Sequence, residues 1–303
     1  MLKISITHSS ESDKRNQKVQ ININGELFHR EKANISVFDS GFLLGDGIWE
    51  GLRLHQRKWL FFDDHMERLY DSLKAVEINL SLTKEDVLGE LEKTRLVNSM
   101  ETDAYARLMV TRGKKSKAFQ HPSFSIFGPT FVIIMEHSKP VLGISKDGIN
   151  LVTVPQMRGH PMVQDPKYNS HSKLNCVIAC LQSSKAGGDE ALMLDPHGFV
   201  TTTNSCNFFI VRKGEVWTST GDYCMNGITR EKIIRICKNQ DIPVFEKNFS
   251  LMETYSAEEA FLTGTFGGIT RVSKIDGHSI GKLGEGSMVA RLRNCYEGMI
   301  EKN

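Results

Sequence analysis

The stretch GFVTTTNSCNFFIVRKGEVWTSTGDYCMNGITR, Gly198 to Arg230, decides how this chain is read. Asn207–Val211 is an apolar run with strand character and Lys213-Gly214 is a turn. The stretch closes on Asn226-Gly227-Ile228-Thr229-Arg230, and EKIIRICKNQ continues it with helical spacing over Ile228–Lys238. A turn that feeds a helix start leaves backbone N–H groups without intrahelical partners, and such a cluster suits an anion.

Working outward, strands are expected at Asn150–Pro155, Ala191–Leu194, Pro243–Phe245 and Ala260–Thr263. A helix is expected over Ser172–Ala186, with Leu174, Val177, Ile178 and Leu181 on one face, stopped by Gly187-Gly188. The first half reads as strands and then helices. Lys18–Asn24 alternates and meets Gly25, and Gly51–Phe62 is extended. Asp63–Val76 has helical spacing of Met66, Leu69, Tyr70 and Leu73, and Leu82–Val97 opens on the capping pattern Thr83-Lys84-Glu85-Asp86. Ala104–Val110 and Thr130–Met135 read as strands. Lys139-Pro140 and Gly143 break the pattern, which sets a smaller N-terminal α+β domain at 1–140, a linker at 141–148 and a larger C-terminal domain at 149–303. The fold class is α+β rather than a regular βαβ series.

The composition of these 303 residues, 40% hydrophobic and 24% charged, is that of a globular protein. A net charge of +2 favours neither nucleic acid nor an acidic surface. No apolar run approaches the ~20 residues that a membrane span requires, and the N-terminus lacks an apolar signal core. Six scattered cysteines include no CxxC pair, and Cys176 and Cys180 read as small core residues. These features fit a cytoplasmic protein with reduced thiols and no metal site.

The motifs, taken in order, resemble those of the class IV aminotransferases, the fold-type-IV enzymes that use pyridoxal 5′-phosphate (PLP), and the branched-chain and D-amino-acid aminotransferases among them. The likeness covers about residues 18–282. Asp39-Ser40-Gly41-Phe42 with Gly45-Asp46-Gly47-Ile48-Trp49-Glu50 is similar to the family's D-R-G-(F/Y)…G-D-G-x-(F/Y)-E, with Ser40 for the usual Arg. His65-Met66-Glu67-Arg68-Leu69 is similar to H-x-x-R-L, whose arginine holds the cofactor phosphate. The resemblance assigns further phosphate contacts to Gly227, Ile228, Thr229 and Thr265. The segment Gly264–Thr270 carries Gly268 where relatives have Glu. Asn207 begins the family's Asn-Φ-aromatic triplet.

Two departures stand out. Counting back from Gly188-Asp189-Glu190-Ala191 puts Asn169 where the family has its Schiff-base lysine. Lys167 and Lys173 flank it, each within roughly 6 Å by strand or helix geometry. Lys173 is the first candidate and Lys167 the second. Thr202 stands where the family has a glutamate that keeps the pyridine nitrogen protonated. For substrate recognition the resemblance offers Phe42, where D-type enzymes have a tyrosine, and Arg107 near the substrate carboxylate. Arg158 and His160 are alternatives. The R-x-H carboxylate trap of D-amino-acid enzymes has no match after Thr111-Arg112-Gly113.

The resemblance thus implies a two-domain PLP aminotransferase acting between an amino donor and a 2-keto acid. Its site lies at the domain and subunit interface of a homodimer. Thr202 keeps open a lyase of the aminodeoxychorismate-lyase type, and both departures together keep open a non-catalytic binding protein on the same fold.

Overall fold

The structure, a computed structural model, describes residues 12–139, 148–281 and 286–302. The expected linker at 141–148 lies outside the described residues except for Gly148. The chain packs as two compact units. One holds the described residues up to Lys139 together with Tyr168–Lys173; the other holds 148–167 and the described residues from Leu174 on.

In the N-terminal unit the elements are β1 (Gln20–Ile23), β2 (Glu26–His29), α1 (Ser40–Leu44), β3 (Gly47–His55), β4 (Lys58–Trp59), α2 (Phe62–Ala75), α3 (Lys84–Val97), β5 (Ala104–Thr111) and β6 (Thr130–His137). The six strands form one antiparallel sheet in the order β2-β1-β6-β5-β3-β4. Along β3, Ile48, Leu52 and Leu54 point into a core with Met66, Leu69 and Leu73 of α2 and Val87 and Leu91 of α3. Each fully buried aliphatic side chain there contributes about 1.5–3 kcal/mol. Period 2 in the strand therefore leaves Trp49, Gly51 and Arg53 on the opposite face. The expected capping box of α3 is present: Thr83 accepts from Asp86 N–H and the Asp86 carboxylate accepts from Thr83 N–H.

The crossing segment 168–173 completes the free edge of β3. Trp49 N–H donates to the Asn169 carbonyl and His171 N–H to the Gly47 carbonyl, both at 2.9 Å. The segment therefore belongs to the N-terminal unit although it lies far along the chain.

The C-terminal unit contains β7 (Ile149–Thr153), α4 (Pro161–Gln164), α5 (Leu174–Lys185), β8 (Glu190–Leu194), β9 (Val200–Thr203), β10 (Asn207–Arg212), β11 (Glu215–Thr218), α6 (Ile228–Asn239), β12 (Val244–Glu246), α7 (Leu251–Tyr255), β13 (Glu259–Gly264), β14 (Gly268–Ile275), β15 (His278–Ser279) and α8 (Met288–Lys302). Its sheet runs β12-β11-β10-β13-β14-β7-β8-β9, and β9 pairs back onto β10. That last pairing, Thr202 opposite Asn207, closes β10, β13, β14, β7, β8 and β9 into a barrel and removes their free edges. Parallel and antiparallel pairings coexist, so the architecture is mixed α+β.

Two expectations change here. The apolar stripe of α5 is not its buried face: Leu174 is 71% exposed, and Ala179 and Ser183 are the buried residues. Small residues let that helix approach the sheet closely. Cys176 and Cys180 are half-buried rather than core residues. Among the described residues no helix is long and apolar enough to cross a membrane, and no cluster of His, Cys, Asp and Glu could hold a metal.

Candidate active site

The C-terminal unit builds its candidate site around the start of α6. Gly227 is the N-cap, in extended conformation, and no side chain caps the helix. The first N–H groups of α6 are thus left for another acceptor. Gly227 is needed for its size. A Cβ there would sit 2.1 Å from Asn207 Oδ1. The Asn207 carboxamide is held in turn, because its Nδ2 donates to the Met225 carbonyl at 2.8 Å. Ile228 and Thr229 follow as the buried first residues of the helix. Thr265 lies half-buried in the tight turn between β13 and β14.

Asn207 pairs with Thr202 on one side and Thr263 on the other, so the three side chains share one face. Thr202 is 4% exposed and its hydroxyl donates to the Cys206 carbonyl at 2.6 Å. Thr202 is a barrel-closing residue, paired with Met193 of β8 and Asn207 of β10. Thr263 is 2% exposed and its Oγ1 has no partner. A buried hydroxyl in that state costs about 1–3 kcal/mol, which a ligand would recover.

Arg158, the other arginine of this unit singled out from sequence, is 8% exposed. Its Nη1 donates to Cys176 Sγ at 3.1 Å and its Nε to the Tyr223 carbonyl at 3.4 Å. His160 packs edge-on against Tyr223.

The N-terminal unit contributes a second group of residues. Glu50 on β3 is fully buried and accepts Arg68 Nε at 2.8 Å, Arg68 Nη2 at 2.7 Å and His65 Nδ1 at 2.7 Å. Burial alone would raise the Glu50 carboxyl, but the Arg68 charge and the Arg68 and His65 hydrogen bonds outweigh it and hold it below its ordinary value. Burial works to lower the Arg68 guanidinium, and Glu50 more than reverses that. Because an ionised carboxylate only accepts, His65 carries its proton on Nδ1, and its buried Nε2 has no partner.

On the opposite face of the sheet, the Arg107 guanidinium carbon lies 3.8 Å from the Trp49 ring centroid. Lys173 Nζ lies 5.9 Å from the same ring. The Trp49 indole N–H donates to the Ser170 carbonyl at 3.2 Å, which ties the platform to the crossing segment. Asn169 is 3% exposed and its Oδ1 is buried without a partner. His171 is lowered by burial, and the charges of Arg107 and Lys173 lower it further. Lys173 immediately precedes α5, while Lys167 is exposed in a turn, its N–H donating to Asp165 Oδ1. Neither the continued strand for Lys167 nor the begun helix for Lys173 is present. Phe42 on α1 is 74% exposed.

The glycine-rich motif near the N-terminus is architectural at its acids. Asp39 accepts from Gly41 N–H, Thr111 Oγ1 and Thr130 Oγ1. Asp46 takes a two-point contact from Arg112, which leaves that arginine committed to the turn.

Sequence reasoning missed Glu50 and His65 as partners of Arg68, and it missed His171 and Thr263. Glu50 and His65 stand inside quoted motifs, so the signal was present. Their convergence depends on how α2 lies on β3.

A two-unit α+β fold with a closed C-terminal barrel and an uncapped helix start beside Asn207 defines the class IV aminotransferase architecture. The chain belongs to that family: the amino-transferase class IV family matches residues 47–275. It is 37% identical over 286 residues to branched-chain-amino-acid aminotransferase-like protein 2 of Arabidopsis thaliana, covering 94% of this chain. It spans about half of that relative, 51% of its length. It is 36% identical to a putative branched-chain-amino-acid aminotransferase of Methanocaldococcus jannaschii, over 94% of this chain and 97% of that protein. Among solved structures, a T.th. branched-chain amino acid aminotransferase complexed with N-(5′-phosphopyridoxyl)-L-glutamate superposes with a TM-score of 0.85. It is 26% identical over 93% of this chain and 94% of the other.

Proposed function

We propose that the chain is a PLP-dependent aminotransferase that moves an amino group between an amino acid or amine and a 2-keto acid. The residues fit the cofactor on two counts. The start of α6 has no side-chain cap, and the buried Thr263 hydroxyl on the Asn207 face has no partner. Gly227, Ile228, Thr229, Thr265 and Arg68 would hold the phosphate, and Asn207 and Thr202 would line the ring. Bound PLP supplies a sink for the electrons left when the substrate Cα proton departs. Lys173 would hold the cofactor covalently and move that proton at its Nζ. Arg107 would orient the substrate carboxylate, with Arg158 as a second cationic contact.

The observation that carries this reading is the clamped segment 168–173, with Lys173 Nζ 5.9 Å from the Trp49 ring beside Arg107. Lys167, by contrast, is exposed in a turn. The test is to load the full chain with PLP, reduce with borohydride and map the labelled peptide. Label on Lys173 is expected. Label on Lys167 moves the role there, and no label on either lysine sinks the enzyme reading.

A second reading is a lyase of the same fold. It is favoured by the neutral Thr202, whose hydroxyl is spent on the Cys206 carbonyl. Pyruvate released without any keto-acid acceptor would favour the lyase; strict dependence on an acceptor would exclude it. A homodimer is supported by the apolar run Ile35, Val37, Phe38, Phe42 and Leu44, all exposed on the N-terminal unit. Sedimentation of the purified chain as a monomer would count against it. The six free cysteines fit a reduced, cytoplasmic setting.

A further inference from the structure

We infer that Glu50, steadied by His65, is a positioning residue that aims the Arg68 guanidinium at the cofactor phosphate. This rests on the PLP reading above and goes beyond it, since neither residue would touch the cofactor.

The cluster is not needed to dock α2 on the sheet. Met66, Leu69 and Leu73 of α2 already bury against β3 and fix the helix there. A buried carboxylate adds little to such packing, because its desolvation offsets its attraction to a partner. What the fork does provide is orientation. Two parallel N–H···O bonds, from Nε and Nη2, fix both the plane and the rotation of the guanidinium. His65 Nδ1 binds the same Oε2 that receives Nη2, so the carboxylate itself cannot swing. Glu50 lies at 0% exposure and the Arg68 side chain at 17%. The fork therefore fixes the guanidinium by its Nε and Nη2 atoms.

A sign test separates aiming from simple charge. Glu50 compensates the Arg68 charge. If charge alone governed phosphate binding, Glu50→Gln would raise the local positive potential and tighten it. If aiming governs, the same change weakens it.

The experiment titrates the full chain with PLP and with pyridoxal, which lacks the phosphate, by absorbance. Wild type, E50Q and E50D are compared. E50D keeps the buried charge, and so the fold, but is too short for the fork. The expected result is a loss of about tenfold or more in the preference for PLP over pyridoxal in both variants, the size of one charge-assisted hydrogen bond. Pyridoxal binding stays near wild type. His65→Asn, which leaves the ion pair intact, shows a smaller loss of the same sign. An unchanged or increased preference overturns the inference, and so does an equal weakening of both ligands, which marks a purely structural role. If wild type itself binds PLP no better than pyridoxal, the PLP reading fails first, and that result is distinct from the others.

Discussion

The Arg107 guanidinium carbon lies 3.8 Å from the centroid of the Trp49 indole, and Lys173 Nζ lies 5.9 Å from the same ring. One aromatic side chain thus attracts two cations that would otherwise repel. Its N–H also binds the Ser170 carbonyl, so the ring ties β3, β5 and the crossing segment together.

Trp49→Phe keeps a ring but loses the indole N–H and part of the cation attraction. A destabilisation of about 1–2 kcal/mol is expected, read as a lower urea midpoint at unchanged slope. The Michaelis constant for carboxylate substrates should rise with it, because Arg107 loses its support.

Gly227→Ala places a methyl 2.1 Å from Asn207 Oδ1. The backbone there is extended and tolerates alanine, so the cost is steric. The Asn207 carboxamide must leave the Met225 carbonyl to make room. We expect about 1–3 kcal/mol of lost stability by urea unfolding, together with weaker PLP binding in an absorbance titration.

The half-buried His171 makes the fold acid-sensitive. Its folded pKa is lowered, by burial first and then by Arg107 and Lys173, from an ordinary value of 6.5, while the hydrogen bond at Ile48 and the Asp39 charge act the other way. The unfolded chain therefore binds more protons than the folded one below that point. Stability is complete above pH 6.5 and declines as pH falls below it. His137, also lowered by burial, adds to the same arm. His171→Gln should flatten part of this arm in urea midpoints measured from pH 7.5 to 5.5. The Glu50 loss begins only below pH 4.5, since its carboxyl is held beneath that value.

Thiol reactivity should follow burial. Burial pushes the Cys206 thiol up to about 12 and the Cys237 thiol up to about 11. Both should resist iodoacetamide at pH 8 in the folded protein and react once it is unfolded, as read by peptide mass spectrometry.

Much of the fold is legible locally. The 3.6 period of Met66, Leu69 and Leu73 marks α2, and the Thr83–Asp86 capping pattern marks the start of α3. Other elements are not. The polar run Thr201-Thr202-Thr203 carries no hydropathy signal, yet it is a buried strand with its hydroxyls bonded to the Met193 and Cys206 carbonyls. The apolar spacing in α5 misleads, because that helix buries its small residues and exposes Leu174 and Val177. The sequence reading also leaves 288–302 unassigned, although Val289, Leu292, Tyr296 and Ile300 have the spacing of its buried face.

By itself the sequence determines the family, the order of the motifs and the uncapped turn that starts the helix at Ile228, because each depends on residues close together in the chain. Only the tertiary structure decides that Glu50 grips Arg68, that Thr202 closes the barrel against Asn207 and that Lys173 rather than Lys167 lies beside Trp49. Those relations depend on strand register and on how α2 and the crossing segment lie on β3. Register and packing are set by burial summed over whole elements, which no local pattern records.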